Sequence, residues 1–543
     1  MTTTFDRRRF LRLAGAAGLA GAGSTALGSC SSNSSGAGSG GSVSSVALPT
    51  YADNRVVPPN LAGDTRQGAL SGYFQYPAKP TVLYPEPVLQ AEKVSVLTYS
   101  FDPVAPRLSE NAIWQQINAR IGAQVDITYT PFADYPNRFA TTIAGGSIPD
   151  IVTVRAPQQQ MPAMLRATFS DLTGHLAGDA VKKYPNLAGL PTPAWQETVF
   201  GNAIWGVPVP RSLVGNVLYV RGDLIEKAGG TTTPANYAEF VETAELLTDE
   251  RHARWASGDV IGFFAFILGM NRVPGTWIVE GETFKSAYEM PEYEQALTDM
   301  RDLVKRGIFH PDAAASANTQ RNEWFLRGTS SMVLASYGGW SKFATWGAEV
   351  DGFELAGMIP PGRDGGKGSH QRSKPVDAFA AIAKQKDDSR VERLLHLLDW
   401  LCAPFGSREY LERTYGVAGQ TYALKGTDPI LNNQGSNQAL VPFEYLASSP
   451  VALYQPGEPA SVKARFDYQT AALKLITPDP TSGLYSATDS SKGATLAKPL
   501  SDLSTEIFFG RQPVSAWKNA VRTWKSGGGD VIAAEYTDAQ GQR

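Results

Sequence analysis

Aromatic and charged side chains stand together where predicted strands end. Tyr99 ends one apolar run and Asp102 follows it, and Arg155 follows another run. Ligands of open parallel sheets meet the loops at the carboxyl ends of the strands, so these residues are candidates for ligand contact. An aromatic face covers apolar C–H groups while Asp and Arg pair with hydroxyl groups, which together is the chemistry of sugar binding. Core packing is the alternative for the aromatic residue, and a solvated loop is the alternative for the charged ones.

Recognisable catalytic and metal-binding motifs are absent from the sequence. The histidines are scattered without metal-ligand spacing, and no nucleophile elbow, His-Glu-x-x-His pair or dinucleotide fingerprint occurs. Gly362–Ser369 lacks the Gly-Lys-Ser/Thr ending of a phosphate loop and is expected to be a surface loop. A glycoside hydrolase needs only two carboxylates about 5–9.5 Å apart, and no short motif marks such a pair. A hydrolase therefore stays open as an alternative, and no cofactor or metal is expected.

The first thirty residues carry the marks of an export signal. Arg7–Arg9 precede a weakly apolar run that ends in Leu-Gly-Ser-Cys at residues 27–30. The arginines followed by Phe-Leu resemble the twin-arginine signal, and the closing residues resemble a lipobox, in which Cys30 becomes the acylated N-terminus. Residues 13–29 are too few, and too rich in Ala and Gly, to span a hydrocarbon core about 30 Å thick. An ordinary signal with an ordinary thiol at Cys30 stays open.

Length and composition indicate a large exported protein with more than one lobe. The 543 residues exceed the usual size of one domain, and 42% hydrophobic residues supply large cores. The formal net charge is −3, and removal of the signal with its net +3 leaves −6. No basic patch stands out, so nucleic acid is not an expected partner. Cys402 lies in an apolar helical run, which favours a buried, inert thiol.

Alternating strand and helix patterns begin near residue 91. Val94–Tyr99, Val125–Tyr129 and Asp150–Val154 read as strands, and helices capped by Ser109 and Asp134 are expected between them. This order predicts a parallel sheet with crossover helices, and hence an α/β fold.

Motifs spread over roughly residues 90–540 resemble one protein family. Ile143–Ile151 looks like the segment before the third strand of extracellular solute-binding proteins of family 1, the maltose-binding-protein-like group of ABC importers. Further matches are the family's Gly-x-Pro step at Ala203–Pro208, its first crossover between lobes at Val217–Leu224 and its helix-to-strand step at Phe325–Met332. The region Gly262–Trp277 and the C-terminal helix are similar to the subgroup that handles oligosaccharides and polysaccharide fragments.

The resemblance implies a two-lobed periplasmic-binding-protein type II fold. Each lobe would be a sheet flanked by helices, and crossover strands near Tyr219 and Ala335 would form the hinge. The expected segments are 1–30 as signal, 31–45 as a Ser/Gly tether, 46–90 as an extended Pro-rich prelude along the folded body, 91–216 plus 376–420 as the first lobe, 217–375 as the second lobe, and 421–543 as a C-terminal helical region packing on both lobes.

The resemblance also implies further ligand-contacting residues. A tryptophan at the position of Trp277 often faces the cleft in the subgroup, and Tyr337 and Trp340 stand at the lip of the next strand. Trp340 follows a Tyr-Gly-Gly turn, so we expect it at the surface rather than in the core. Independently of the resemblance, Arg211 stands directly after Pro208-Val209-Pro210, and an arginine in the cleft would suit the carboxylate of an acidic sugar. Asp249–Arg254 stands where several relatives carry a calcium loop but lacks the spaced oxygens, so no calcium is expected.

The sequence therefore predicts a membrane-anchored extracellular substrate-binding protein that acts as a monomer. It would capture a carbohydrate between its lobes and deliver it to the permease subunits of an ABC transporter. An oligosaccharide is the favoured kind of carbohydrate. A lipid on Cys30 would hold it at the outer face of the cytoplasmic membrane. An exported glycoside hydrolase, or a binder of a non-sugar solute such as a peptide, is the alternative.

Overall fold

The computed structural model describes residues 46–541 apart from 157 and 159. The predicted signal, its lipidation site Cys30 and the Ser/Gly tether lie outside the described residues. Among the residues that the structure describes, none of the helices combines the length and the apolar composition needed to cross a membrane.

Strands of the two larger sheets are distributed over residues 92–382. In chain order they are β1 (Glu92–Ser100), β2 (Ala123–Pro131), β3 (Ile151–Val154), β4 (Val207–Pro210), β5 (Asn216–Arg221), β6 (Trp255–Ser257), β7 (Ser330–Ser336), β8 (Leu355–Met358) and β9 (Val376–Ile382). Short ribbons pair Gly72–Tyr73 with Leu453–Tyr454, Val199–Phe200 with Ala203–Ile204, Trp277–Glu280 with Thr283–Ser286, and Tyr422–Lys425 with Asp428–Leu431.

The α-helices surround these sheets. Those of eight residues or more are Ala112–Ile121, Tyr135–Gly145, Met161–Thr168, Tyr237–Leu246, Val260–Met270, Pro291–Lys305, Asn318–Arg327, Trp340–Gly347, Asp388–Leu401, Arg408–Tyr415, Pro459–Leu473, Ala494–Phe508, Ala516–Trp524 and Asp530–Gly541. Shorter ones are Thr173–Leu176, Pro185–Ala188, Thr192–Gln196, Gly222–Ala228 and Asn433–Gln438.

The first lobe is built on a sheet in the order β2-β1-β3-β9-β4. β1 pairs in parallel with β2 and β3, as predicted, whereas β9 is antiparallel to both β3 and β4. Apolar side chains such as Ile117 and Leu398 cover one face, and Phe139 and Leu165 cover the other. Because both faces are covered, the polar loops at the strand ends are the part of the sheet left for a ligand.

The second lobe is built on a sheet in the order β8-β5-β7-β6. β5 is antiparallel to β7 and β8, and β7 is parallel to β6. The apolar helix Val260–Met270 packs on one face, while Trp340 and Phe343 pack on the other. The architecture is thus mixed α/β, with a helix-flanked sheet in each lobe, as predicted; the exact lobe boundaries stay a prediction.

The crossovers between the sheets are residues 211–215 and 359–375, which run beside each other. Val214 forms an antiparallel bridge with Arg372, and the N–H of Gly215 donates to the carbonyl of Gln371 over 3.1 Å. The predicted hinge positions lie beside the crossover 211–215 rather than within it. Tyr219 is fully buried in the middle of β5 and Ala335 belongs to β7, so both lie inside the second sheet.

Residues 46–90 lie along both lobes with little regular structure. Leu48 and Leu89 pack on the core of the first lobe, whereas Leu70, between them in sequence, packs in the core of the second lobe. The chain changes lobes again between Leu446 and Leu453. The segments outside the two sheets therefore also connect the lobes.

Helix starts were predicted less well than strands. Ser109 lies in a short 3-10 turn, and the helix Ala112–Ile121 is capped by Asn111, whose side chain accepts from the N–H of Trp114 over 2.9 Å. Asp134 holds the expected position before Tyr135–Gly145, but its side chain makes no capping hydrogen bond. Cys402 is buried as predicted, and burial raises the pKa of its thiol.

Candidate functional site

Charged residues of the first lobe meet where its strands face the second lobe. The carboxyl ends of β1, β3 and β4 lie at the same edge of the sheet as the amino end of β9. The crossover 211–215 leaves from this edge, because it directly follows β4. The loops that the sequence selected are thereby brought together.

Tyr99, Arg155, Arg211 and Asp377 form what we call the arginine cluster. The buried Tyr99 hydroxyl donates to the Asp377 carboxylate, and burial followed by this carboxylate raises the pKa of the hydroxyl. Arg155 Nη2 lies 4.0 Å and Arg211 Nη2 lies 3.9 Å from the same carboxylate. One carboxylate at the edge of ion-pair distance leaves most of the N–H groups of both guanidinium forks open to a ligand.

Aromatic rings surround the arginine cluster. The Arg155 guanidinium lies 4.1 Å from the ring centre of Phe132, which in turn stacks on Phe101 at 4.1 Å. Phe101 is 55% exposed, an unusual state for so large an apolar side chain. Tyr445 donates its hydroxyl to Asp102 over 3.2 Å and faces Arg211. Tyr99, Asp102 and Arg155 are therefore close neighbours, as the strand-end argument predicted, and Arg211 joins them.

Several residues of this edge were missed by sequence reasoning. Asp377 was passed over because it begins a strand rather than following one, and only the antiparallel insertion of β9 brings it beside β3. Tyr445 comes from a distant part of the chain without a recognisable motif. Phe101 lies inside the stretch from Tyr99 to Asp102 and was the one that the sequence signal could have found.

A cavity of about 670 Å³ lies between the lobes and is called the interlobe cavity. Its walls include Ala156, Glu197 and Phe200 from the first lobe and Trp277 from the second, together with crossover residues Arg372 and Lys374 and the segment 477–485. Ala156 directly follows Arg155, so the cavity begins beside the arginine cluster. Its size and mixed apolar and charged walls suit a small-molecule site.

The segment 477–490 closes one side of the interlobe cavity. Ser482 accepts from Arg372 Nη1 over 3.1 Å, and Ser490 donates to the carbonyl of Gln158 in the first lobe over 2.9 Å. Burial raises the pKa of the Glu197 carboxyl, which is also bonded to Ser482. The cavity thus holds polar groups of both charges.

Trp277 borders the interlobe cavity, although only 8% of the residue is exposed. Its ring centre lies 5.5 Å from that of Tyr536 and 6.0 Å from that of Trp524. Much of its apolar surface is therefore used in packing on the C-terminal helices.

Tyr337 and Trp340 lie in the core of the second lobe, with exposures of 1% and 2%. The Tyr337 hydroxyl donates to the carbonyl of Arg465, and Trp340 packs between Tyr219 and Tyr468. The expectation that Trp340 lies at the surface was wrong. The Tyr-Gly-Gly turn leads directly into the helix Trp340–Gly347, whose first residue points inward.

One group of possible metal ligands occurs among the described residues. Atoms of His175, Asp388 and Glu392 lie within 4.8 Å of one another. His175 Nε2 is already bonded to Asp388 over 2.9 Å, and Lys183 Nζ lies 2.7 Å from Glu392. None of these residues lines the interlobe cavity, and one hydrogen bond and one ion pair account for the group.

Comparisons with known proteins give a consistent result. The family profile of bacterial extracellular solute-binding proteins matches residues 105–401. The polygalacturonan/rhamnogalacturonan-binding protein YtcQ of Bacillus subtilis (strain 168) is 24% identical over 447 residues, covering 78% of this chain and 87% of that protein. Lipoprotein LipO of the same organism is 20% identical over 440 residues, covering 76% and 85%. The crystal structure of the alginate-binding protein AlgQ2 without calcium ion matches with a TM-score of 0.61 at 13% identity, covering 84% of this chain and 99% of that one.

Proposed function

This chain belongs to the family of bacterial extracellular solute-binding proteins, and we propose that it captures an oligosaccharide in the interlobe cavity and delivers it to an ABC importer. The observation that carries the proposal is the interlobe cavity itself, which has walls from both lobes beside the crossovers. A ligand seated there touches both lobes and favours their closed arrangement, because it binds that arrangement more tightly.

A carbohydrate is supported by the names of the relatives and by the side chains at hand. One curated relative is named for binding polygalacturonan and rhamnogalacturonan, and a structural neighbour for binding alginate. Arg372 lines the cavity, and Arg155 directly precedes the lining residue Ala156. Phe101 and Arg211 add a ring and a guanidinium group to the strand ends around Arg155. We propose that these residues contact the ligand together with Asp102 and Trp277, while Tyr99 holds Asp377 in place from below.

Anchoring outside the cytoplasmic membrane is part of the same proposal. The Leu-Gly-Ser-Cys sequence at residues 27–30 and the lipoprotein name of one relative support acylation of Cys30. The arginines at residues 7–9 support export by the twin-arginine route. The anchored monomer would present the closed, loaded lobes to the permease. We further propose that it binds sugar without hydrolysing it, since one curated relative and one structural neighbour are named as binding proteins.

Thermal unfolding of the full chain in detergent tests the substrate class. Neutral oligosaccharides, hexuronic-acid oligosaccharides and peptides are compared at equal concentration. A ligand present at about 100 times its Kd adds roughly 2.7 kcal/mol to the free energy of unfolding, so the midpoint should rise with one sugar class. A rise of the midpoint with peptides alone would overturn the proposal that the ligand is a carbohydrate. Loss of intact sugar during incubation would reveal a hydrolase.

The variant Arg372→Gln tests the location. Arg372 lines the cavity without an ion-pair partner among the described residues, so its replacement should abolish much of the sugar-induced rise. Lys305→Gln is the matched control, because Lys305 is exposed on the helix Pro291–Lys305 and lies outside the cavity lining. Equal responses in both variants would place the ligand elsewhere.

A further inference from the structure

The second lobe carries a concave surface that the proposed function does not use. Its lining includes Asn216, Asn318, Arg321, Asn322, Lys342 and Trp346, which we call the Trp346 surface. It encloses about 380 Å³ and shares no lining residue with the interlobe cavity.

Local strand pairing explains why this surface is open. β6 pairs with β7 only as far as Met332, so residues 333–336 have no strand partner on that side among the described residues. The helices Asn318–Arg327 and Trp340–Gly347 flank the gap instead. Along the second helix, Phe343 faces the core while Trp346 is 41% exposed at the rim.

The polar groups of the Trp346 surface are open to a ligand. Within residues 46–541 as described, the side chains of Asn216, Asn318 and Asn322 have no hydrogen-bond partner. An amide both donates and accepts, which matches the two roles of a sugar hydroxyl. Next to them, the exposed indole of Trp346 offers an apolar face for a pyranose ring.

The charge of the Trp346 surface is positive. No Asp or Glu occurs in its described lining. Arg321 is neutralised by the buried Asp259 at 2.7 Å, whereas Lys342 has no ion-pair partner among the described residues. An unpaired ammonium group beside amides and an indole favours a saccharide that carries a carboxylate.

The crossovers bring the Trp346 surface close to the interlobe cavity. Asn216 lies two residues after Val214, and Val214 forms a bridge with Arg372, which lines the cavity. Two extended residues span at most about 7 Å, and paired strands lie about 5 Å apart. A single oligosaccharide of several residues is long enough to reach from one surface to the other.

We propose that the Trp346 surface is a distal subsite for a carboxylate-bearing segment of an acidic oligosaccharide. One sugar ring stacks on Trp346, its carboxylate pairs with Lys342, and the three asparagines bond its hydroxyls. This inference rests on the proposed function, since it assigns the far end of a ligand whose near end lies in the interlobe cavity.

The test measures affinities of the full chain in detergent by calorimetry. The probes are a hexuronic-acid hexamer, the same hexamer with methyl-esterified carboxyls, and the corresponding acidic dimer. Lys342→Gln should weaken binding of the acidic hexamer about two- to fivefold and leave the esterified hexamer unchanged. Trp346→Ala should weaken both hexamers about tenfold, because stacking does not depend on the charge. Neither variant should affect the dimer, and Lys305→Gln should affect none of the probes.

Different failures separate the two proposals. If both variants bind the acidic hexamer like the wild type while Arg372→Gln binds it weakly, the distal subsite is overturned and the proposed function stands. If the dimer loses affinity as strongly as the hexamer, the surface is not distal and the inference is again overturned. If the wild type binds none of the saccharides, both proposals fall together.

Discussion

Two tyrosine–aspartate pairs of the first lobe each contain a hydrogen bond from the tyrosine hydroxyl to the aspartate carboxylate. The surroundings of the two pairs differ. Tyr84 donates to Asp399, and Tyr99 donates to Asp377. Asp399 is fully buried, and its Oδ1 also accepts the N–H groups of Asn186 and Leu187, each over 2.8 Å. At the other pair, a fifth of the Asp377 side chain is exposed, with guanidinium groups 3.9 and 4.0 Å away.

The difference fits a structural role for the Tyr84–Asp399 pair and the ligand-contacting role that we propose for the residues around Asp377. At Asp399 the protein itself supplies neutral donors to both oxygens, and the carboxylate ties Pro185–Ala188 to the helix Asp388–Leu401. Around Asp377, the N–H groups of Arg155 and Arg211 outnumber the carboxylate oxygens that could accept from them. The N–H groups without an acceptor lie at the carboxyl ends of the strands. A complete set of partners indicates a structural role, and an incomplete one indicates a place kept for a ligand.

Replacing each aspartate by alanine should give the largest contrast. Asp399→Ala leaves two buried N–H groups and a hydroxyl without acceptors, at about 1–3 kcal/mol each, so we expect a loss of at least about 3 kcal/mol. Asp377→Ala frees the Tyr99 hydroxyl and removes a carboxylate that lies only at the edge of ion-pair distance from two partly exposed arginines, so it should cost about 1–2 kcal/mol. Urea unfolding of both variants checks this, and losses of equal size would remove the distinction.

Of the two pairs, Tyr84–Asp399 should make the stability of the protein depend on pH. Burial raises the pKa of Asp399 from 3.8 to about 6. A carboxyl whose folded pKa is raised contributes stability that is present below its unfolded pKa and is lost as the pH rises through the folded one. Between pH 4 and pH 7 this loss should amount to about 2–3 kcal/mol.

The variant Asp399→Asn isolates that contribution, because asparagine has no proton to lose. The unfolding free energy of the wild type minus that of the variant should fall as the pH rises from 4 to 6 and level off above. A difference that stays constant across this range contradicts the assignment to Asp399. Asp377→Asn serves as the comparison at the Tyr99–Asp377 pair.

The smallest expected effect concerns the arginines beside each pair. Arg155→Lys keeps the charge but loses the planar fork, so affinity for an acidic oligosaccharide should fall about tenfold with stability nearly unchanged. Arg408 is the matched residue at the Tyr84–Asp399 pair, since its Nη2 donates to the carbonyl of Tyr84 over 2.6 Å. Arg408→Lys should lower stability and leave affinity intact. Titration measures the affinities and urea unfolding the stabilities. A loss of stability in Arg155→Lys together with a loss of affinity in Arg408→Lys would contradict the assignment of the two roles.

Local pattern predicted part of this arrangement. β1, β2 and β3 were found because their apolar runs are short and lie between helical patterns, and parallel pairing then placed Tyr99, Asp102 and Arg155 at one edge. Asp377 was not predicted, because β9 joins β3 from more than two hundred residues away. No local rule records that pairing.

Helix phase explains the errors among the aromatic residues. Trp340 and Trp346 belong to the same helix, and six residues turn a helix by about 240°, so the two indoles point to different sides. Sequence reasoning placed Trp340 outside because of the glycines before it, and left Trp346 unassigned. The direction of the buried face depended on Tyr219 and Tyr468, which reach Trp340 from distant segments.

The several passages of the chain between the lobes restrict how the molecule can move. Besides the paired crossovers, the prelude around Leu70 and the stretch between Leu446 and Leu453 also join the lobes. Connections in parallel remove most relative translations and leave few soft degrees of freedom. Little conformational entropy then remains to be lost when the lobes come together, and more of the contact energy of a ligand appears as affinity. In this way the irregular segments outside both sheets would set how tightly a ligand is held.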